Sequence, residues 1–299
     1  MISKRHFFIG TLFGVVLLIT YLFSLPDGKL HIVFCDVGQG DAAYIRAPDG
    51  SDMLIDGGPN DEVLTCLGRH MPFFDRTIDL VVLSHPQKDH MQGLISVLDR
   101  YNVTYFVTPP VGNESEGFRK LEQEIKKRGI AVRNLYQGDQ FSLDKVLVRV
   151  LWPERNWAAE KTGENSSLVS AGSNVLGLSA GSEDLNSFSG YYHVTFGDFD
   201  ALFTGDGDIK IQPEIMAAIQ LPDVELLKFP HHGSKTGIME EFLDKVNPEA
   251  AVISVGKNPW GHPTKEALGL LEKENVRVFR TDLTGDVEVV SDGNSWTVN

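Results

Sequence analysis

Only two cysteines, Cys35 and Cys66, occur in 299 residues. That excludes a disulfide-built scaffold and a four-cysteine zinc module. Positive charge is also scarce, with 27 lysines and arginines against 41 acids and a formal charge of -14. Such a surface does not hold nucleic acid by bulk attraction, so phosphate binding needs a local basic groove or metal ions. No linker separates two independent cores. With 42% hydrophobic and 23% charged residues, the chain has a globular composition and enough length for a core that holds a site unaided.

What is present is unevenly placed. Residues 7–25, FFIGTLFGVVLLITYLFSL, form an uncharged apolar run about as long as a helix crossing a bilayer requires. Lys4 and Arg5 precede it, which by the positive-inside tendency puts everything after Pro26 on the far side of the membrane. Lacking a small-x-small site before Asp27, the run reads as an anchor over residues 1–26 ahead of a cleaved signal. This segment carries two basic and no acidic residues, which leaves -16 on residues 27–299.

Beyond it, strand and helix patterns alternate, as in a layered α/β domain. Strands are expected at 29–35, 42–46, 53–56, 80–83, 105–108, 130–135 and 146–151, with helices at 61–70, 92–100 and 114–128. A Ser-, Gly- and Asn-rich stretch at about 156–189 reads as an exposed variable loop. Strands then recur at 191–196, 200–203, 225–229, 250–255, 277–281, 286–290 and 295–298. Helices are expected near 209–219, 236–245 and 265–273. Cys35 falls in a strand and Cys66 in a helix, a placement that suggests core packing and leaves a disulfide open.

Polar clusters sit just past the apolar strands. Ser84-His85-Pro86-Gln87-Lys88-Asp89-His90 carries two imidazoles and a carboxylate within six residues, donors suited to a divalent transition metal. Thr204-Gly205-Asp206-Gly207-Asp208 ends another strand, Pro230-His231-His232-Gly233-Ser234 a third, and Trp260-Gly261-His262-Pro263 a fourth. Adjacent histidines point apart unless the backbone kinks, so one metal is expected to use one of His231 and His232. The other is left for acid/base work or phosphate contact. Lys88, Lys228, Lys235 and Lys257 lie in or beside the clusters and could form a positive rim. Trp260 could stack on a base or pack as part of a lid.

Taken together, DVGQGDA at 36–42, LIDGG at 54–58, HPQKDH, TGD, PHHGS and GHP resemble the metallo-β-lactamase superfamily. The similar branch contains the extracytoplasmic C-terminal domain of the ComEC competence proteins. The resemblance runs from about Lys29 to the C-terminus. It implies an αββα sandwich of two mixed sheets flanked by helices, a metal centre at one edge, and a hydrolase related to DNA uptake. A cell-wall choline-phosphate esterase is a similar relative with another phosphodiester substrate.

Carried over by position, the resemblance implies metal ligation by His85, Asp89, His90, Asp206 and His262. The usual second histidine of the loop is replaced by Gln87, and His193, within a strand, is unsuited to supply the next ligand. One metal position is therefore depleted while the other stays intact, with His231 or His232 as a stand-in or a phosphate contact. Asp89, Asp208, His231 and His232 are the implied catalytic groups. Asp41, Asp56 and Gln87 are expected behind the ligands. The cofactor is expected to be Mn or Zn, as one or two ions, activating water for attack on a phosphodiester.

The expected protein is a membrane-anchored extracytoplasmic phosphodiesterase or nuclease acting on DNA. The alternatives are a metal hydrolase of a cell-wall phosphodiester, small ester or lactam, and a binding module whose site has decayed. The family's membrane channel is not part of this sequence, and one span cannot form a DNA pore.

Overall fold

Alternation within the strands sets the architecture. In β1 (Leu30–Phe34), Leu30, Ile32 and Phe34 enter one core while Val33 enters a second on the opposite face, as a period of two requires. The computed structural model describes residues 4–23, 25–163, 177–181 and 183–299.

Helix α1 (Lys4–Phe23) leads into β1, followed by β2 (Ala43–Arg46), β3 (Asp52–Ile55), α2 (Glu62–His70) and β4 (Thr77–Val82). Next come α3 (Lys88–Arg100), β5 (Asn102–Thr108), β6 (Val111–Gly112), α4 (Glu116–Arg128) and β7 (Ala131–Asn134). The middle of the chain holds β8 (Gln140–Leu143), β9 (Val146–Trp152), α5 (Arg155–Thr162), β10 (Leu178–Ser179), β11 (Tyr191–Phe196) and β12 (Phe199–Phe203). Then follow α6 (Gln212–Ala218), β13 (Leu226–Lys228), α7 (Glu240–Val246), β14 (Ala250–Ile253), α8 (Lys265–Lys273) and β15 (Arg277–Arg280). Short α9 (Thr281–Thr284), β16 (Val287–Ser291) and β17 (Trp296–Val298) close it.

Two large mixed sheets result, ordered β17-β16-β1-β2-β3-β4-β5-β7 and β15-β14-β13-β12-β11-β9-β8. The core between them joins Ile32, Phe34 and Ile45 to Val194, Phe203 and Val252. The outer face of the first sheet packs under α2, α3 and α4, and that of the second under α6, α7 and α8. This is the expected αββα sandwich. In each sheet the strands nearest the site run parallel, β3 to β4 and β12 to β13 to β14, so their C-terminal ends and following loops meet at one edge.

Three expectations change. The helix expected from Gln92 begins at Lys88, because Asp89 in its first turn favours the positive end of the helix dipole. Asp89 and His90 are thus helical and not part of a loop. The stretch expected as loop contains α5 and β10, the latter paired with β6, although residues 164–176 lie outside the described residues. Cys35 and Cys66 are bonded to each other, with Cα atoms 5.7 Å apart, tying the end of β1 to α2. Closing a loop of this length contributes roughly 4 kcal/mol in the chain-entropy account.

Among the described residues no helix is long and apolar enough to cross a membrane. In α1, Ile9, Leu12, Phe13, Val15 and Val16 are exposed, while several of its side chains lie outside the described set. The anchor read at residues 1–26 is therefore a proposal resting on sequence.

Away from the site, buried Asp52 accepts a hydrogen bond from the Tyr44 hydroxyl and another from the Asp79 backbone N–H. Burial, with the charges of Asp79 and Asp75, pushes its carboxyl up to about 7. A carboxyl raised in the folded state adds stability below its unfolded pKa, and that stability is lost as pH rises toward 7. Asp52→Asn is accordingly expected to add stability on the order of 2 kcal/mol at pH 8, seen as a higher melting temperature, and to bring no gain near pH 4. Thermal melts at the two pH values check this; an equal shift at both would contradict it.

Candidate metal centre

Asp41, Asp56, His85, His90, Asp206 and His232 are all buried at the shared edge of the sheets. All but His90, which sits in the first turn of α3, reach it from loops beside strand ends. Asp41 closes the 36–41 loop, which returns to β1 through the Cys35 N–H to Ala42 carbonyl bond of 2.9 Å. Gly40 is needed there because a Cβ would strike the Asp89 carbonyl.

Asp89, His90, Asp206 and His232 offer one ligand atom each, all within 4.8 Å of one another. The Nε2 of His90 lies 3.2 Å from Asp206 Oδ1, and the Nε2 of His232 lies 3.3 Å from Asp206 Oδ2 and 3.5 Å from Asp89 Oδ2. Both Nε2 atoms are buried without a hydrogen-bond partner, as are Asp206 Oδ1 and His85 Nε2. Buried polar atoms are normally satisfied, so this converging set fits a cation.

The far side of each imidazole is held. His90 Nδ1 bonds to Asp56 Oδ2 at 2.8 Å, and Asp56 also accepts from the Ser84 N–H and hydroxyl, each at 2.7 Å. His232 Nδ1 donates to the Ser254 carbonyl at 2.9 Å, leaving its Nε2 lone pair for a ligand. Asp56 thus lies behind His90, and Asp41 Oδ1 lies 3.4 Å from His232 Nδ1. Ser84 and Ser254 are additions. Ser84, directly before His85 at a strand end, was findable; a carbonyl such as that of Ser254 carries no residue signature.

The buried carboxylates give the cluster an attraction for positive charge. Burial alone would keep His90 and His232 neutral, but Asp206 with Asp56 and Asp41 outweighs it and holds both imidazoles well above their usual range. Burial would likewise raise Asp206, yet His232 and His90 hold it well below the ordinary carboxylate range. A bound cation displaces those protons, which makes affinity pH-dependent. His85 is pushed down to about 3 by burial and the neighbouring His90, so it stays neutral and able to ligate.

His232 rather than His262 joins Asp89, His90 and Asp206. The cause is local: His231 and His232 both adopt left-handed backbone, φ 53° each, at a cost on the order of 1–3 kcal/mol apiece. This turn sets their rings 6.3 Å apart and nearly perpendicular at 79°. His232 faces the cluster, while His231 faces His262 with ring centroids 5.9 Å apart. Both of these outer rings keep an unpartnered Nδ1. Gly233, at φ 83°, lets the loop press against Pro263, which any Cβ would strike.

Other expected residues are placed differently. Asp208 turns away to cap its own loop through the Lys210 N–H at 3.0 Å. The Gln87 amide bonds to Asn186, and His193 pairs with Asp200 at 2.7 Å. Lys228 is no rim lysine: it is buried, paired with Asp41, and bonded to the Gly205 carbonyl at 3.1 Å. Lys88, Lys235 and Lys257 remain exposed.

Residues 35–257 match the metallo-β-lactamase superfamily. The chain belongs to that superfamily of metal-dependent hydrolases. It is 26% identical over 297 residues to "ComE operon protein 3" of Bacillus subtilis, covering 93% of this chain and 35% of that protein. It is 27% identical over 290 residues to "Recombination protein 2" of Haemophilus influenzae, covering 93% and 31%. The chain thus spans about a third of the length of these relatives. Among solved structures, the metallo-β-lactamase fold protein YhfI from Bacillus subtilis aligns with a TM-score of 0.51 at 12% identity, covering 87% of this chain and 99% of that one. Tm1679, a metal-dependent hydrolase of the superfamily, aligns at 0.50 and 13%, covering 86% and 98%. At these identities the likeness is one of fold.

Proposed function

We propose that this metallo-β-lactamase superfamily domain is a phosphodiesterase acting on DNA, held at the outer face of a membrane by residues 7–25. The observation that carries the reading is the buried convergence of Asp89, His90, Asp206 and His232 beside two outward imidazoles with unpartnered nitrogens. The relative named "Recombination protein 2" supports DNA as the substrate. The Cys35–Cys66 bond supports an oxidising, extracytoplasmic location.

Asp89, His90, Asp206 and His232 would hold Mn or Zn, with His85 available to a second, weaker ion. When bound, the cation supplies Lewis-acid charge and lowers the pKa of a water. Asp89, the least buried of the four, orients that water and accepts its proton. His231 is assigned to protonate the leaving oxygen, and His262 to contact a phosphate oxygen. Asp56 and Ser254 keep His90 and His232 in the tautomer that presents Nε2. A decayed binding module would have no need to keep this support behind both histidines, even though Gln87 has turned to Asn186.

The deciding experiment measures metal content of the full chain, then hydrolysis of bis-p-nitrophenyl phosphate and single-stranded DNA with Mn or Zn. Turnover of both is expected. A folded, metal-loaded sample that turns over neither would overturn the assignment.

A further inference from the structure

We infer that Trp260 is the platform on which an unpaired nucleobase beside the scissile phosphate stacks, which selects single-stranded nucleic acid as substrate. This rests on the phosphodiesterase reading above and adds a recognition element to it. Trp260 is 65% exposed, so its indole is not packed against the protein and its face is free to meet a base.

Its exposure is built in. The side-chain Oδ1 of Asn258 accepts from the backbone N–H of Trp260 at 3.1 Å and of His262 at 3.0 Å. Its amide donates to the Gly256 and His262 carbonyls, each at 2.8 Å. Four bonds from one side chain fix the loop and present the indole outward.

The ring is also placed relative to the donor cluster. From His232 a row of rings steps outward: His231 at 6.3 Å, His262 a further 5.9 Å, then Trp260 at 6.3 Å, tilted 34° to His262. A phosphate between the cluster and the outer imidazoles would leave its attached nucleoside near the indole. Stacking on an aromatic face requires a base free of its own helix and tolerates any base identity. Exposed Lys257 gives the strand's phosphates a positive neighbour on an acidic protein.

The test compares the metal-loaded full chain with Trp260→Ala and Trp260→Phe on two octamers of equal charge, one of thymidine and one abasic. The native chain is expected to show a KM for the abasic octamer at least about tenfold above that for the thymidine octamer. In Trp260→Ala that ratio is expected to collapse toward one through a higher KM on thymidine, with kcat retained, and Trp260→Phe should restore most of it. A ratio unaffected by Trp260→Ala overturns the assignment while the phosphodiesterase reading stands. Hydrolysis of neither octamer by the native chain overturns the phosphodiesterase reading and the Trp260 assignment with it.

Discussion

Asp206→Ala is expected to lower metal affinity by at least about 100-fold and turnover on the order of 1,000-fold. The two oxygens of Asp206 face the Nε2 atoms of His90 at 3.2 Å and His232 at 3.3 Å, while those of Asp41 lie on the Nδ1 side of the same two rings. Removing it takes away the charge that balances a cation and the atom group that joins both halves of the cluster. His90 lies in α3 and His232 in the turn after β13, and among the described residues no other carboxylate joins their Nε2 atoms; Asp89 reaches only His232, at 3.5 Å. Metal analysis after dialysis, paired with a thermal melt to establish folding, reads the effect. His262→Ala makes the contrast: metal retained, turnover reduced. Equal metal content in native and Asp206→Ala protein would remove Asp206 from the centre.

Lys228→Met is expected to destabilise the fold by about 3–5 kcal/mol. The lysine is buried against Asp41 and the Gly205 carbonyl, so methionine fills the volume but strands a buried carboxylate. Burial raises the cost of the Asp41 charge, and Lys228, followed by His232 and His90, is what holds its carboxyl far below the usual range. Adding Asp41→Asn to Lys228→Met should return a large part of the loss, because no uncompensated charge remains. Denaturant titration followed by tryptophan fluorescence measures both. A loss under about 1 kcal/mol, as for exposed ion pairs, would mean that the pair is not buried in solution.

Much of the site could be read in advance because its donors cluster in short segments after apolar strands. Asp89, His90 and Asp206 need only a strand end and a turn to be brought to one edge. The choice between His232 and His262 could not be read so, since it depends on two consecutive left-handed residues and on a carbonyl from β14. Lys228 looked like a surface lysine because its partner Asp41 is nearly 190 residues away. The disulfide was open for a related reason: a strand cysteine and a helix cysteine meet only when α2 packs on β1.

By itself the sequence determined the alternation of strands and helices, the scarcity of cations, the apolar N-terminal run and the grouping of His and Asp side chains just after apolar strands. These are local properties, set by periodicity, composition and residue chemistry. Only the tertiary structure decided which imidazole joins the cluster, which lysine is buried and which tryptophan stands exposed. Those outcomes follow from the packing of one sheet against the other, which fixes directions and neighbours that no run of adjacent residues encodes.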